Sequence, residues 1–429
     1  MQQAKAPIRS VTMSVQQEWN LDGGPYPFMD EQLLVALSHV GMVRNQLNEL
    51  GVKHRLAEKS EELQLARLSV PELAAAERLV LDNAPENYEP RRHARELDGV
   101  LWGLRQIFAR DYAGWTPTIG KNRVLGRVHG AGEVSHGGGG DPQPANPRPA
   151  LHARDSGPGR GVRVGVLDTA LFPQPWLAGG WLARFSDRLT EDNAALYPEG
   201  HATFVTGLVL SQAPGATVEV RRILGEDGTA DSWTVAKEIV RFGRSGLDIL
   251  NLSLLCYSED GQPPMAIATA VDRLNTDLVV VAAAGNHGDP YNSDGGERTD
   301  KERRKPAWPA ALDDVVAVGA CDRDGNLATF SPDAPWVDIL APGVDLRSTY
   351  LDRASATSGV PPVRFDGFAT WSGTSFAAAL VSGAIAAGTD AGRLSGRAAL
   401  NDVMGSLEKE SRLRPVASTQ APFLPLRTL

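Results

Sequence analysis

From Val162 onward the chain alternates short apolar runs with small-residue runs at helical spacing, a pattern that points to a sheet of parallel strands linked by helices. VRVGVLD (162–168), Thr217 to Ile223, LDILNLSLL (247–255), Leu278 to Ala284, VVAVGAC (315–321) and WVDILAP (336–342) read as strands. Ala202 to Leu210, Trp233 to Arg241 and the stretch after Ser375 read as helices. The run from Leu278 to Ala284 is almost wholly apolar, as a strand covered on both faces must be. The expected fold is therefore α/β, a doubly wound, mostly parallel sheet over residues 161–405, with a tail at 406–429. Functional groups in such sheets collect at the carboxyl ends of the strands.

The amino-terminal part has a different order. Gln32 to Leu37 reads as a strand and Val40 to Leu50 as a helix closed by Gly51. Val52 to Leu56 and Leu63 to Val70 read as two further strands, and Pro71 opens a helix through Leu81. Residues 1–90 are thus expected to form a small α+β domain. Residues 91–160 are expected to hold a helix and a linker. The helix, Arg91 to Ala109, carries Leu97, Val100, Leu101, Leu104 and Phe108 on one face. The linker runs from Tyr112 to Gly161 and includes the four glycines 137–140 followed by DPQPANPRP.

Charge narrows the partners. The formal net charge is -9, and residues 1–160 are balanced, so the acidic excess lies in the second part. Nucleic acid and anionic membrane are poor partners for such a chain. Cys256 and Cys321 provide no disulfide framework. The first residues show no secretory pattern and no apolar run is long enough to span a bilayer, so a cytoplasmic location is expected.

Chemistry concentrates in three places. GTSFAAALVSG (373–383) puts Ser375 at the start of a small-residue helix, where backbone N–H groups can stabilise an oxyanion. A serine needs a base. Of the eight histidines only His201 and His287 lie beyond the linker, and His201 opens the small-residue helix GHATFVTGLV. Asp168, ending VRVGVLD, can orient that base. The order Asp168, His201, Ser375 is one of the known triad orders. No G-x-S-x-G precedes an acid and a histidine, which argues against a lipase or esterase.

These motifs resemble the subtilase family between about Gly161 and Gly388. VGVLDTA resembles its aspartate motif, GHATFVTGLV its histidine motif and GTSFAAALVSG its serine motif. VVAAAGN (280–286) resembles its oxyanion segment, which implies that Asn286 donates its side-chain amide to the oxyanion. The chain departs from the family at Ala170 and Ala202, where glycines are usual, and at Phe204, which replaces a second histidine.

The resemblance implies a serine endopeptidase with an extended peptide or protein substrate bound as an added strand. Asp231, Ser232 and Trp233 would form one edge of its site and Ser253 to Cys256 the other. Ala283, Ala284 and Gly285 would line the first specificity pocket, with Leu254 and Leu255 nearby. No cofactor is required for the chemistry; structural calcium is common in the family, but no ligand cluster stands out. Residues 1–90 match the family's inhibitory propeptide in element order, which implies packing on the catalytic domain. The narrower expectation is a dedicated processing peptidase. The second reading is a pseudo-peptidase, a peptide-binding scaffold in the same fold.

Overall fold

The computed structural model describes residues 27–90, 94–127, 140–145, 157–189, 197–225, 228–291, 297–355, 363–413 and 421–424. The first 26 residues, most of the four-glycine run and the linker residues 146–156 lie outside them. In the amino-terminal region β1 (Phe28–Ala36), α1 (Val40–Glu49), β2 (Arg55–Ser60), β3 (Leu65–Ser69), α2 (Leu73–Leu81), α3 (Glu96–Asp111) and β4 (Ile119–Arg127) follow in order. The strands form an antiparallel sheet in the order β2-β3-β1-β4. Alternation along β1 sorts its side chains: Leu33 and Val35 join the cluster of α2 and α3, while Leu34 faces Trp233 and the second part of the chain. Gly51 closes α1 at φ +72°, a region open to a residue without Cβ. Pro71 sits just before α2 rather than in its first turn, because Glu72 takes the N-cap position with φ 59°.

The linker expectation is corrected at β4, which is a well-buried strand inside the stretch read as connector. Its polar residues Lys121, Asn122 and Arg123 hid it, since composition cannot show that buried partners await them.

The second part holds β5 (Gln143–Pro144), β6 (Arg163–Asp168), α4 (His201–Gln212), β7 (Thr217–Arg222), β8 (Thr229–Asp231), α5 (Ser232–Gly243), β9 (Ile249–Leu252), β10 (Leu254–Leu255), α6 (Met265–Val271), β11 (Val279–Ala283), α7 (Asp300–Arg303), β12 (Val315–Cys321), β13 (Ile339–Pro342), β14 (Leu346–Thr349), β15 (Ala354–Ser355), β16 (Val363–Arg364), β17 (Phe368–Trp371), α8 (Thr374–Gly388) and α9 (Gly396–Leu413). The central sheet runs β13-β12-β11-β9-β6-β7, parallel throughout. Along β11, Val279, Val281 and Ala283 face α4 and α8 while Val280 and Ala282 face α5 and α6. Helices thus cover both faces, and the fold is the doubly wound α/β sheet anticipated from the alternation.

The stretch 247–255 splits into β9 and β10, and α9 runs through residue 405, so the expected start of the tail at 406 falls within a helix. Beyond it the chain returns to the sheet edge, where Leu340 exchanges backbone hydrogen bonds with Pro422 and Leu424, both 2.8 Å. Cys256 and Cys321 are both buried and unpaired, and burial pushes the Cys256 thiol up to about 12.

Helices α4 and α8 pack unusually closely. A Cβ on Gly383 would lie 2.7 Å from the Val209 carbonyl oxygen and 2.8 Å from Gln212 Cβ. Neither neighbour is a movable side-chain tip, so Gly383→Ala should force the helices apart and destabilise the fold by about 1–3 kcal/mol. A urea titration of the variant against the parent checks this; an unchanged midpoint would show that the helices have room.

Candidate active site

Asp168 ends β6, Ser253 follows β9 and Asn286 follows β11 by three residues. These strands are neighbours in the sheet, so their carboxyl ends deliver the three side chains to one place. His201 is the first residue of α4 and Ser375 the second of α8, and the close packing of the helices brings both to the same edge.

The Asp168 carboxylate, fully buried, lies 2.8 and 2.7 Å from His201 Nδ1 through its two oxygens. It also accepts from the Thr169 N–H at 2.6 Å. A buried carboxylate beside Nδ1 accepts a hydrogen bond from its N–H, which leaves the Nε2 lone pair of a neutral imidazole facing away. Among the described residues neither His201 Nε2 nor Ser375 Oγ has a hydrogen-bond partner, although both atoms are buried. Thr169 Oγ1 accepts from the Ala202 N–H at 3.1 Å, which ties the start of α4 to β6.

The substituted Phe204 has a definite place. It packs on Phe376 at 4.5 Å and on Trp371 at 5.8 Å between ring centroids, and these two rings stand 5.3 and 5.5 Å from His201. Apolar rings on these sides keep water from the imidazole.

Asn286 is oriented by the residue before the serine. Its Oδ1 accepts from the Thr374 N–H and Oγ1, both at 3.0 Å, so its amide donors remain for another acceptor. Thr374 Oγ1 accepts in turn from the Gly285 N–H at 3.1 Å. Gly285 has φ +97°, and a Cβ there would meet His287 Nδ1 at 2.8 Å, so two constraints favour glycine. Beneath the site, Asn251 donates to Ser253 Oγ at 3.0 Å and accepts from Ser382 Oγ at 3.0 Å. This fully buried link fastens α8 to the sheet.

The residues nominated for substrate binding fall into two groups. Ala283, Ala284 and Gly285 are buried directly before Asn286. The two proposed edges are already paired, because β4 lies between them. Leu254 and Leu255 pair antiparallel with Arg127 and Gly126, and Val124, Leu125 and Gly126 pair antiparallel with Asp231, Ala230 and Thr229. Asn122 Oδ1 accepts from Ser232 Oγ and from the Trp233 N–H, each at 2.9 Å, and its amide donates to Asp231 at 2.9 Å. Trp233 Nε1 donates to Glu58 of β2 at 2.9 Å. Among the described residues no group of three or more His, Cys, Asp or Glu could hold a metal ion, and no helix is long and apolar enough to cross a membrane.

Sequence reasoning missed Thr374, Phe376 and Trp371 in this site. Thr374 and Phe376 flank the serine and were within reach of a closer reading; nothing local marks Trp371. His287, set aside as a base, is buried, with Nδ1 2.9 Å from the Tyr257 hydroxyl and Nε2 2.9 Å from the Lys305 carbonyl oxygen. A carbonyl only accepts, so Nε2 carries the proton and Nδ1 accepts from Tyr257.

Comparison with known proteins places this site in context. The sequence profile of the subtilase family (peptidase S8) matches residues 159–395. Subtilisin BL and subtilisin Savinase, both from Lederbergia lenta, are each 32% identical over 249 residues, which covers 56% of this chain and 79% of each relative. Among solved structures, fervidolysin from Fervidobacterium pennivorans, a keratinolytic enzyme related to subtilisin, superposes with a TM-score of 0.52 at 18% identity. That match covers 84% of this chain and 54% of the other and concerns the fold alone.

Burial holds the His287 imidazole down to about 3 despite its bond to the Lys305 carbonyl, and the nearby cations of Arg298 and Lys305 push the same way. The folded value lies below the ordinary 6.5, so the unfolded chain binds the proton first. Stability from the neutral ring is complete above pH 6.5 and is lost as pH falls toward 3. Between pH 7 and pH 5 this should remove roughly 2 kcal/mol. Urea unfolding of the parent and of His287→Gln at both pH values tests the assignment; equal pH dependence in the two would refute it.

Proposed function

The chain belongs to the subtilase family and is a subtilisin-like serine peptidase, and on that premise we propose that it cuts peptide bonds through an acyl-enzyme at Ser375. In this reading His201 Nε2 takes the proton from Ser375 Oγ as the oxygen attacks the substrate carbonyl. The negative charge that develops on the carbonyl oxygen is met by the Asn286 amide and the Ser375 N–H. Asp168 stabilises the imidazolium, which then gives its proton to the departing amine. Water releases the acyl group by the same steps in reverse order of partners.

The observation that carries the reading is the pairing of His201 Nδ1 with the buried Asp168 carboxylate at 2.7 Å, which leaves Nε2 and Ser375 Oγ as unsatisfied polar atoms at the site. The set Asp168, His201, Asn286 and Ser375 is complete, so the pseudo-peptidase reading is not favoured. The position of β4 bears on regulation. It fills the place between β8 and β10 that an extended substrate would take, so the amino-terminal region acts as an inhibitor that must leave the cleft before a long substrate enters. The departures at Ala170, Ala202 and Phe204 favour the narrower role of a processing peptidase; broad cleavage of a peptide panel would remove that narrower role.

A fluorophosphonate probe should label the purified chain, and Ser375→Ala should abolish labelling. Asn286→Ala should retain the nucleophile yet lower kcat on the order of 10²–10³, the scale known for that donor in subtilisin itself. Labelling that survives in Ser375→Ala would overturn the assignment of the nucleophile.

A further inference from the structure

Strand β4 carries a cation that the mechanism does not use. Arg123 donates to Glu259 at 2.7 Å with 10% of its side chain exposed, and Lys121, 4% exposed, lies 3.1 Å from the same carboxylate and 2.5 Å from Asp98. Glu259 stands four residues beyond Leu255, on the segment that leaves the cleft edge. Burial alone would raise its carboxyl, but Arg123 by charge and hydrogen bond, and then Lys121, bring it down to about 2. Asp260 adds a second negative charge close enough to act on Arg123, and Lys305 is near enough to feel the attraction of Glu259 and Asp260 and the repulsion of Arg123.

The direction of β4 tells which side of the cut bond is concerned. Arg127 pairs with Leu254, and the next residue back along that edge, Ser253, hydrogen-bonds the Ser375 carbonyl oxygen at 3.3 Å. The strand therefore runs toward the serine, and Arg123 lies on the amino side of any bond presented there. A peptide in the same slot and direction would place one of its own side chains where Arg123 sits. Without β4, Glu259 would lose its two close cations and keep a partly buried charge, an arrangement that favours a cationic replacement.

We propose that Glu259, backed by Asp260, is a subsite for a basic residue of the peptide substrate on the amino side of the cut bond, and that Arg123 fills it from within the chain. The proposal rests on the reading above, that a peptide binds between β8 and β10. The contact is bidirectional in its use: the same carboxylate retains the amino-terminal strand and selects the peptide that replaces it.

The test uses the full chain carrying Ser375→Ala, which prevents turnover, and Leu125→Asp, which unseats the buried Leu125 and empties the slot. Fluorescent peptides of residues 118–127, with Arg123 kept or replaced by Ala or Glu, are titrated by anisotropy. The Arg peptide should bind roughly tenfold or more tightly than the Ala peptide. Glu259→Gln in the protein should erase that difference, and Glu259→Lys should make the Glu peptide the best of the three. Equal affinities, a preference that survives Glu259→Gln, or no binding of any peptide would overturn the proposal. A second measurement keeps Ser375 in the Leu125→Asp chain: the ratio of kcat/KM for Arg and Ala versions of residues 118–133. Any residual occupancy of the cleft by β4 scales both rates alike, so the ratio reports the subsite. A binding preference without hydrolysis would remove the peptidase reading and keep the subsite; hydrolysis without preference would do the reverse.

Discussion

The distance between α4 and α8 governs the site. Each helix begins at the carboxyl edge of the sheet, one with His201 and the other with Ser375 near its first turn. Their separation is set about two turns further along, where Gly383 meets Val209, while Ser348 and Thr349 donate to the carbonyls of Phe204 and Thr203, both at 2.7 Å, beside the start of α4. Small residues let the backbones approach; side-chain hydroxyls then fix how α4 sits. A base and a nucleophile on separate helices, the roles proposed for His201 and Ser375, would depend on such rigid support, because proton transfer requires alignment within fractions of an ångström. The chain Ser382–Asn251–Ser253 serves the same end from beneath, holding α8 to the strand beside the cleft.

The amino-terminal region is held by different forces. Leu34, Leu63 and Leu65 share an apolar cluster with Trp233 and the faces of α5 and α6, and this supplies the area. Register comes from polar groups: Asn122 meets Asp231, Ser232 and Trp233 together, and the Arg123 N–H donates to Ser232 at 2.9 Å. Burying an amide is favourable only when its bonds are made, so a slip of one residue would strand Asn122 among unmatched partners. Around the rim, Glu58 accepts from Trp233 and pairs with Lys237 and Arg67.

The sheet was legible because a parallel strand covered on both faces must be apolar throughout, and the run from Val279 to Ala283 could hardly be anything else. Asp168, His201 and Ser375 stood out as candidates because each sits at a boundary, where a strand ends or a helix begins, among glycines and alanines that mark close packing. Strand β4 was not. KNRVLG carries a strand's apolar residues at Val124 and Leu125, but its lysine, asparagine and arginine look like surface until Asp98, Glu259 and Asp231 are found around them in space. The end of α9 escaped as well, since its later residues are charged. Trp371, which meets His201 and Phe204 edge to face, lies in a strand far from either in sequence, and no spacing rule reaches it.

Strand β4 belongs to two sheets at once. Its first half is paired with β1 and its second half with β8 and β10, so one strand joins the amino-terminal sheet to both of these short strands. Withdrawal of the strand exposes a row of unpaired backbone groups on the catalytic side, and any loosening of β4 from β1 exposes a second row. Amide protection in β1 and in β8 would thereby be linked, although the two strands are not paired with each other. On the proposed reading, the covalent connection would also keep the displaced strand at high local concentration, so recapture would compete with every incoming peptide without regard to how dilute the protein is.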